Sequence, residues 1–137
     1  MNKRTILIVS LLLILGAILA PAVSATQPEE IRGYTNLISM ADPVVYCIHS
    51  GPGYNQPDGF LDGCVDQPVK PGVAQKGIFT GHVGDREGSC EYSLRTFDLD
   101  GKAIFSMQRC DGGLAGFHFV GFGTSDGLWE GTYHFDP

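Results

Sequence analysis

The chain has no basic cluster, no Cys-x-x-Cys, no Gly-x-Ser-x-Gly and, past residue 25, no apolar run long enough to cross a membrane. Each absence excludes something. Fifteen acidic against nine basic side chains give a net charge of −6, and no Lys/Arg face is left to meet a phosphate backbone. Nucleic acid and anionic lipid surfaces are therefore excluded as partners. The four cysteines lack the close spacing of a zinc site. No nucleophile elbow is present, and no nucleophile, base and orienting group assemble from the sequence, so no catalytic residue and no cofactor are assigned.

What is present begins with the first 25 residues. Asn2, Lys3 and Arg4 precede an apolar run from Ile6 to Ala20, and Val23-Ser24-Ala25 supplies small residues before polar Thr26-Gln27. This is the layout of a secretory signal peptide cleaved after Ala25; the alternative, a retained anchor, is short of the ~20 apolar residues a span needs. Residues 26–137 then form one secreted domain with no membrane association after cleavage. Cys47, Cys64, Cys90 and Cys110 all lie in it, an even count that reads as two disulfides.

Glycine, at 19 of 137 residues, is about twice its usual ~7%. Asp-Gly recurs at 58–59, 62–63, 100–101, 111–112 and 126–127, between runs rich in Phe, Val, Ile, Tyr and Thr. Turn chemistry at such short intervals belongs to an all-β fold, a small antiparallel barrel or sandwich. Residues 26–76 read as loop-rich, with a short helix within 26–40 (Thr26 and Glu29 spaced as a capping box) and one clear strand, Val44 to Ile48. Residues 77–137 read as strands and tight turns.

One turn rule sets the pairing of two hairpins. A type I turn over Asp98-Leu99-Asp100-Gly101, closing through a Gly bulge, places Cys90 opposite Cys110 and Glu91 opposite Arg109. Cys90–Cys110 is therefore one disulfide and Cys47–Cys64 the other, the latter closing a loop worth roughly 3 kcal/mol. The same rule at Thr124-Ser125-Asp126-Gly127 faces Phe117 with Phe135, Phe119 with Tyr133 and Gly121 with Gly131, and sets Gly123 beside Trp129. His118 and His134, Val120 and Thr132, and Phe122 and Glu130 fall on the other face. A one-residue slip would scatter the aromatics over both faces.

Gly121 to Phe135, with Gly-x-Gly-Thr-x-Asp-Gly-Leu-x-x-Gly-x-Tyr-x-Phe, resembles the last hairpin of small calycin-like barrels of the allene oxide cyclase and dirigent type and of related bacterial barrels. Ile78-Phe79-Thr80-Gly81 followed by Glu87-Gly88 is similar to the opening hairpin of the same group. The resemblance covers roughly residues 77–137, and no catalytic residue of the group maps onto this chain. It implies a calycin-like barrel. Val45-Tyr46-Cys47 followed by Gly51 also resembles the Tyr-x-Cys strand of small periplasmic lysozyme-inhibitor barrels.

These readings predict an exported, non-catalytic binding module for a small apolar ligand or an extracellular protein. A secreted hydrolase inhibitor and a cofactor-free isomerase or cyclase are the alternatives. Phe117, Phe119, Trp129, Tyr133 and Phe135 are the ligand-contact candidates if the barrel holds a cavity; otherwise they fill it. Tyr54 and Phe60, on the Pro/Gly loop 50–63, are the candidates for protein contact. A cyclase would use Glu91, Arg95 and Tyr92 as polar guides around a confined substrate. His118, His134 and Glu130 have the residue types of a zinc site, but they read as exposed side chains and no metal is assigned. His49 and His82 show no partner in the sequence.

Overall fold

A computed structural model describes residues 27–72, 74–96 and 101–137; the signal segment and the Asp98–Asp100 turn lie outside the described residues. Eight antiparallel strands follow in order: β1 (Glu29–Ser39), β2 (Val44–Ser50), β3 (Leu61–Gln67), β4 (Ala74–Val83), β5 (Arg86–Thr96), β6 (Ala103–Gly112), β7 (Phe117–Gly123) and β8 (Leu128–Phe135). Each pairs with its sequence neighbour, and β1 pairs with β8 from Glu29–Tyr133 to Tyr34–Leu128, so the sheet closes into a barrel. The all-β expectation holds, and of barrel and sandwich it is the barrel. Both disulfides form as expected, Cys47–Cys64 and Cys90–Cys110.

Two expectations for the first half were wrong. Residues 29–39 are a strand, and the helix expected within 26–40 does not form there. Closing the barrel requires a partner for both β8 and β2, and that tertiary demand overrides a local cap pattern. The loop expected after Ile48 contains a further strand, β3, whose Cys64 lies directly opposite Cys47.

The terminal hairpin has the expected register at every pair from Phe117–Phe135 to Gly123–Trp129. Its turn closes with Gly127 N–H on the Thr124 carbonyl at 3.0 Å, and Gly127 takes the left-handed φ of 83°. The Asp126 carboxylate accepts from the Thr124 hydroxyl and the Leu128 N–H, which hold its pKa below the usual carboxylate value.

The other hairpin keeps its expected register only at its far end. Gly88 faces Gly112 and Ser89 faces Asp111, but from Glu91–Gln108 to Thr96–Ala103 the pairing is shifted by one residue. A β-bulge at Arg109, with φ of 50°, absorbs the difference. The bulge reverses the inward-outward alternation of β6. Phe105 and Met107 face the core on one side of it, and Cys110 packs inward on the other while Arg109 points out. Arg109 Nε reaches Glu91 Oε2 at 2.6 Å, so the expected ion pair forms across the bulge and not within a regular ladder.

Inside, glycines and rings alternate. A Cβ on Gly121 would sit 2.7 Å from the Phe105 ring and 2.8 Å from that of Phe119; one on Gly33 would sit 2.6 Å from Trp129, and on Gly63 2.5 Å from Phe79. Such distances are well inside van der Waals contact, so the rings occupy the space where a side chain would otherwise stand. The inner glycines thus serve close packing of protein rings. Gly121→Ala is expected to destabilise the fold by about 1–3 kcal/mol, the usual range for overpacking a core. Equilibrium urea denaturation measures this, and an unchanged midpoint would contradict the packing described.

Candidate functional site

The two ends of the barrel differ. The first end carries the β2–β3 loop, the β4–β5 and β6–β7 turns, the start of β1 and the end of β8. It is plugged. Phe117 and Leu114 are fully buried, the Phe60 ring stands 5.5 Å from Tyr133, and Phe135 stands 5.1 Å from Phe117. Arg86 covers Phe135 from outside, its guanidinium carbon 4.3 Å from the ring centroid. Tyr133 donates to Glu29 Oε2 at 2.8 Å, and burial together with that carboxylate pushes its phenol up to about 12.

The second end carries the β1–β2, β3–β4, β5–β6 and β7–β8 connections. Here a depression of about 340 Å³ lies over the barrel end, floored by the buried Tyr46, Tyr92, Phe105 and Trp129 and rimmed by Leu37 and Leu94. These residues come from β1, β2, β5, β6 and β8, and strand alternation turns the four rings to the interior. Trp129 meets Phe105 and Phe119 edge-on, at 5.9 and 5.5 Å. Tyr46 stands edge-on to Tyr92 at 5.7 Å and donates to Gln67 Oε1 at 2.8 Å. Burial raises the pKa of both phenols far above the ordinary value, so both stay protonated donors at any physiological pH. The Trp129 indole N–H is buried and has no acceptor among the described residues. A buried donor without an acceptor costs free energy.

A larger groove of about 590 Å³ lies outside the barrel, along β1 and β8, bordered by Arg32, Tyr34, Pro52, Phe122, Leu128 and Glu130. Its borders are mainly the outward positions of the strands, and it lies along a surface.

Of the five aromatics expected to touch ligand, only Trp129 lines the mouth. Phe117, Tyr133 and Phe135 belong to the plugged end, and Phe119 is core between the two. Of the expected polar guides, Tyr92 faces inward while Glu91 and Arg95 are exposed. Tyr46, Leu94 and Phe105 were not singled out from the sequence. The signal for them was alternation: Tyr46 stands between outward Val45 and Cys47, and Phe105 shares its face with Met107.

The loop 50–63 divides in the same way. Tyr54 is exposed, at a positive φ of 51°, with Arg32 above its ring at 5.5 Å. Phe60 is half-buried and plugs the barrel, so of the two it does not present a free surface.

His49, expected to be without partner, clamps this loop to the barrel wall. Its Nδ1 lies 3.1 Å from Asp62 on β3 and its Nε2 3.1 Å from Asp58 in the loop. In the strand register Asp62 also lies opposite His82, and His82 opposite Glu87, a row of alternating charge types across four strands. Partial burial disfavours the charged imidazole, but hydrogen bonds and charge from the two aspartates outweigh it, and the pKa is raised above 6.5.

Compared with known proteins, the chain matches no family model, no curated protein and no solved structure.

A raised histidine pKa means that the charged clamp stabilises fully below the unfolded value of about 6.5 and is lost as pH rises through the folded value. The unfolding free energy of the wild type minus that of His49→Asn should therefore shrink between pH 6 and pH 8.5. A difference that stays constant or grows over that interval would contradict the clamp.

Proposed function

We propose that this chain is an exported, non-catalytic carrier or sensor barrel that takes a small apolar molecule at its second end. The observation that carries the reading is the cavity of about 340 Å³ floored by Tyr46, Tyr92, Phe105 and Trp129. That volume is at the lower end for ligand pockets and suits roughly ten to fifteen heavy atoms. Exposed Leu37, Ile38, Met40 and Val69 give the same end an apolar rim, a suitable approach for such a molecule. An eight-stranded barrel either fills with side chains or holds one small ligand, and the depression at this end suits the second use.

Export rests on the residue 1–25 signal pattern and agrees with two disulfides, which persist outside reducing compartments. The outward strand positions carry Asp62, Glu91 and Arg109 among exposed Ile78, Val120, Phe122 and Leu128. A cyclase is disfavoured because Glu91 and Arg95 point to solvent, leaving phenols and an indole as the polar groups of the cavity.

Titration of the oxidised residue 26–137 protein with 1-decanol, following fluorescence of the lone tryptophan, tests this reading. A saturable blue shift or quenching is expected. Gly123→Leu should weaken the response at least tenfold while leaving the fold intact, because a Cβ there has ordinary clearance, 3.6 Å or more, and the added side chain enters the mouth. A flat response for 1-decanol and for phenols and aldehydes of similar size would overturn the reading and favour a protein partner at the 50–63 loop. An affinity unchanged by Gly123→Leu would place binding elsewhere.

A further inference from the structure

The geometry points to a second site, on the outer wall at the plugged end, that binds a divalent transition-metal ion of the Zn²⁺ type through His118, His134 and Asp136. His118 and His134 are directly paired across β7 and β8, and their rings stack with centroids 4.8 Å apart and planes inclined by 9°. Both rings turn the same nitrogen to one carboxylate: His118 Nε2 is 3.1 Å from Asp136 Oδ2, and His134 Nε2 is 3.9 Å from Oδ1. The three donor atoms all lie within 4.8 Å of one another.

The third ligand differs from the one the residue types suggested. Glu130 faces Phe122, four pairs further along the hairpin, and at ~3.4 Å per residue it stands too far from His134 to share an ion. Asp136 takes its place because the hairpin register continues one pair past Phe117–Phe135, which puts Asp136 on the same face as His134 two residues earlier. Its N–H donates to the Gly116 carbonyl at 2.8 Å, which fixes the carboxylate beside the imidazoles. Gly116 has a φ of 83°, and a Cβ there would come within 3.3 Å of Asp136 Cβ. A larger residue at 116 would push the carboxylate away.

The distances suit a metal. With Zn–N and Zn–O bonds of about 2.0–2.2 Å, donor atoms around a four-coordinate ion are about 3.3 Å apart. The His118–Asp136 separation already meets this, and small rotations of two partly exposed imidazoles bring the third donor in. Neutral imidazoles and a carboxylate are a borderline N₂O donor set, which favours Zn²⁺, Co²⁺ or Cu²⁺ over Ca²⁺ or Mg²⁺. Three protein ligands leave one position for water or for a donor from another molecule. The hairpin backbone holds the two histidines in place through inward Phe117 and Phe119, both fully buried. The site is therefore preorganised on a rigid element, and it lies at the end of the barrel away from the proposed ligand mouth.

Titration with Zn²⁺ in competition with a chromophoric chelator tests the proposal on the oxidised residue 26–137 protein. One saturable equivalent is expected, and His118→Ala, His134→Ala and Asp136→Asn should each weaken it at least tenfold, with Glu130→Gln within twofold of wild type. Co²⁺ in place of Zn²⁺ should give a visible ligand-field band, and paramagnetic shifts confined to residues 116–119 and 133–136 of the unmutated protein. The proposal is overturned by absence of saturable binding up to millimolar Zn²⁺, by equal affinity in the three variants, or by Co²⁺ shifts centred on His49 or His82.

Discussion

The width of a closed eight-stranded barrel constrains everything else in this molecule. Eight strands enclose a space barely wide enough for side chains to fill. The chain nevertheless sends Tyr46, Phe79, Tyr92, Phe105, Phe117, Phe119, Trp129 and Tyr133 into it. It does so by leaving facing positions without side chains. Gly63 and Gly81 admit the Phe79 ring, Gly121 admits Phe105 and Phe119, and Gly33 lies under Trp129. The glycine content, which first reads as turn chemistry alone, is thus divided between turns and the inner wall.

Unequal filling follows from where the rings and loops fall. At one end Phe60 folds in from the β2–β3 loop, Leu114 from the β6–β7 turn, and Phe135 from the last strand, and together they close the barrel. At the other end Gly123, Ala103 and Thr35 leave the wall low between Trp129, Phe105 and the two tyrosines, and the cavity opens there. The Arg109 bulge lets both arrangements coexist on one strand. It sends Phe105 inward toward the open half and Cys110 inward toward Cys90, while Arg109 itself turns out to Glu91. The His49 clamp and the His118–His134–Asp136 group lie on the outer wall, where charged side chains decorate a core they do not enter.

The terminal hairpin was legible in the sequence residue by residue. A short turn with an obligatory glycine sets its register, and only one register puts Phe117, Phe119, Trp129, Tyr133 and Phe135 on one face. The disulfides were legible for a related reason, since one pairing satisfied a plausible hairpin. The shift at Arg109 was not, because a bulge at a non-glycine residue leaves no compositional trace. β1 was missed because it carries charged or polar side chains at Glu29, Glu30, Arg32, Thr35 and Asn36 and buries only Ile31 fully, so its strand identity comes from β8 and β2 on either side. The mouth was hidden for a different reason. Its residues lie on five strands, and only closure brings Tyr46, Tyr92, Phe105 and Trp129 together. Asp136 escaped notice although the same turn rule puts it opposite Gly116, because it lies one residue past the last aromatic pair.

The central claim is a closed barrel in which inner glycines lie under aromatic rings. Proton NMR of the oxidised domain tests it most directly, because an aromatic ring packed against a backbone moves the glycine Hα resonances well away from their ordinary positions. The account predicts such shifts for Gly33, Gly63, Gly81 and Gly121, together with cross-strand Overhauser contacts linking Ile31 to Gly131 and Gly33 to Trp129. Glycine Hα resonances at their ordinary positions, with no contacts between the first and last strands, would mean an open sheet and would contradict it.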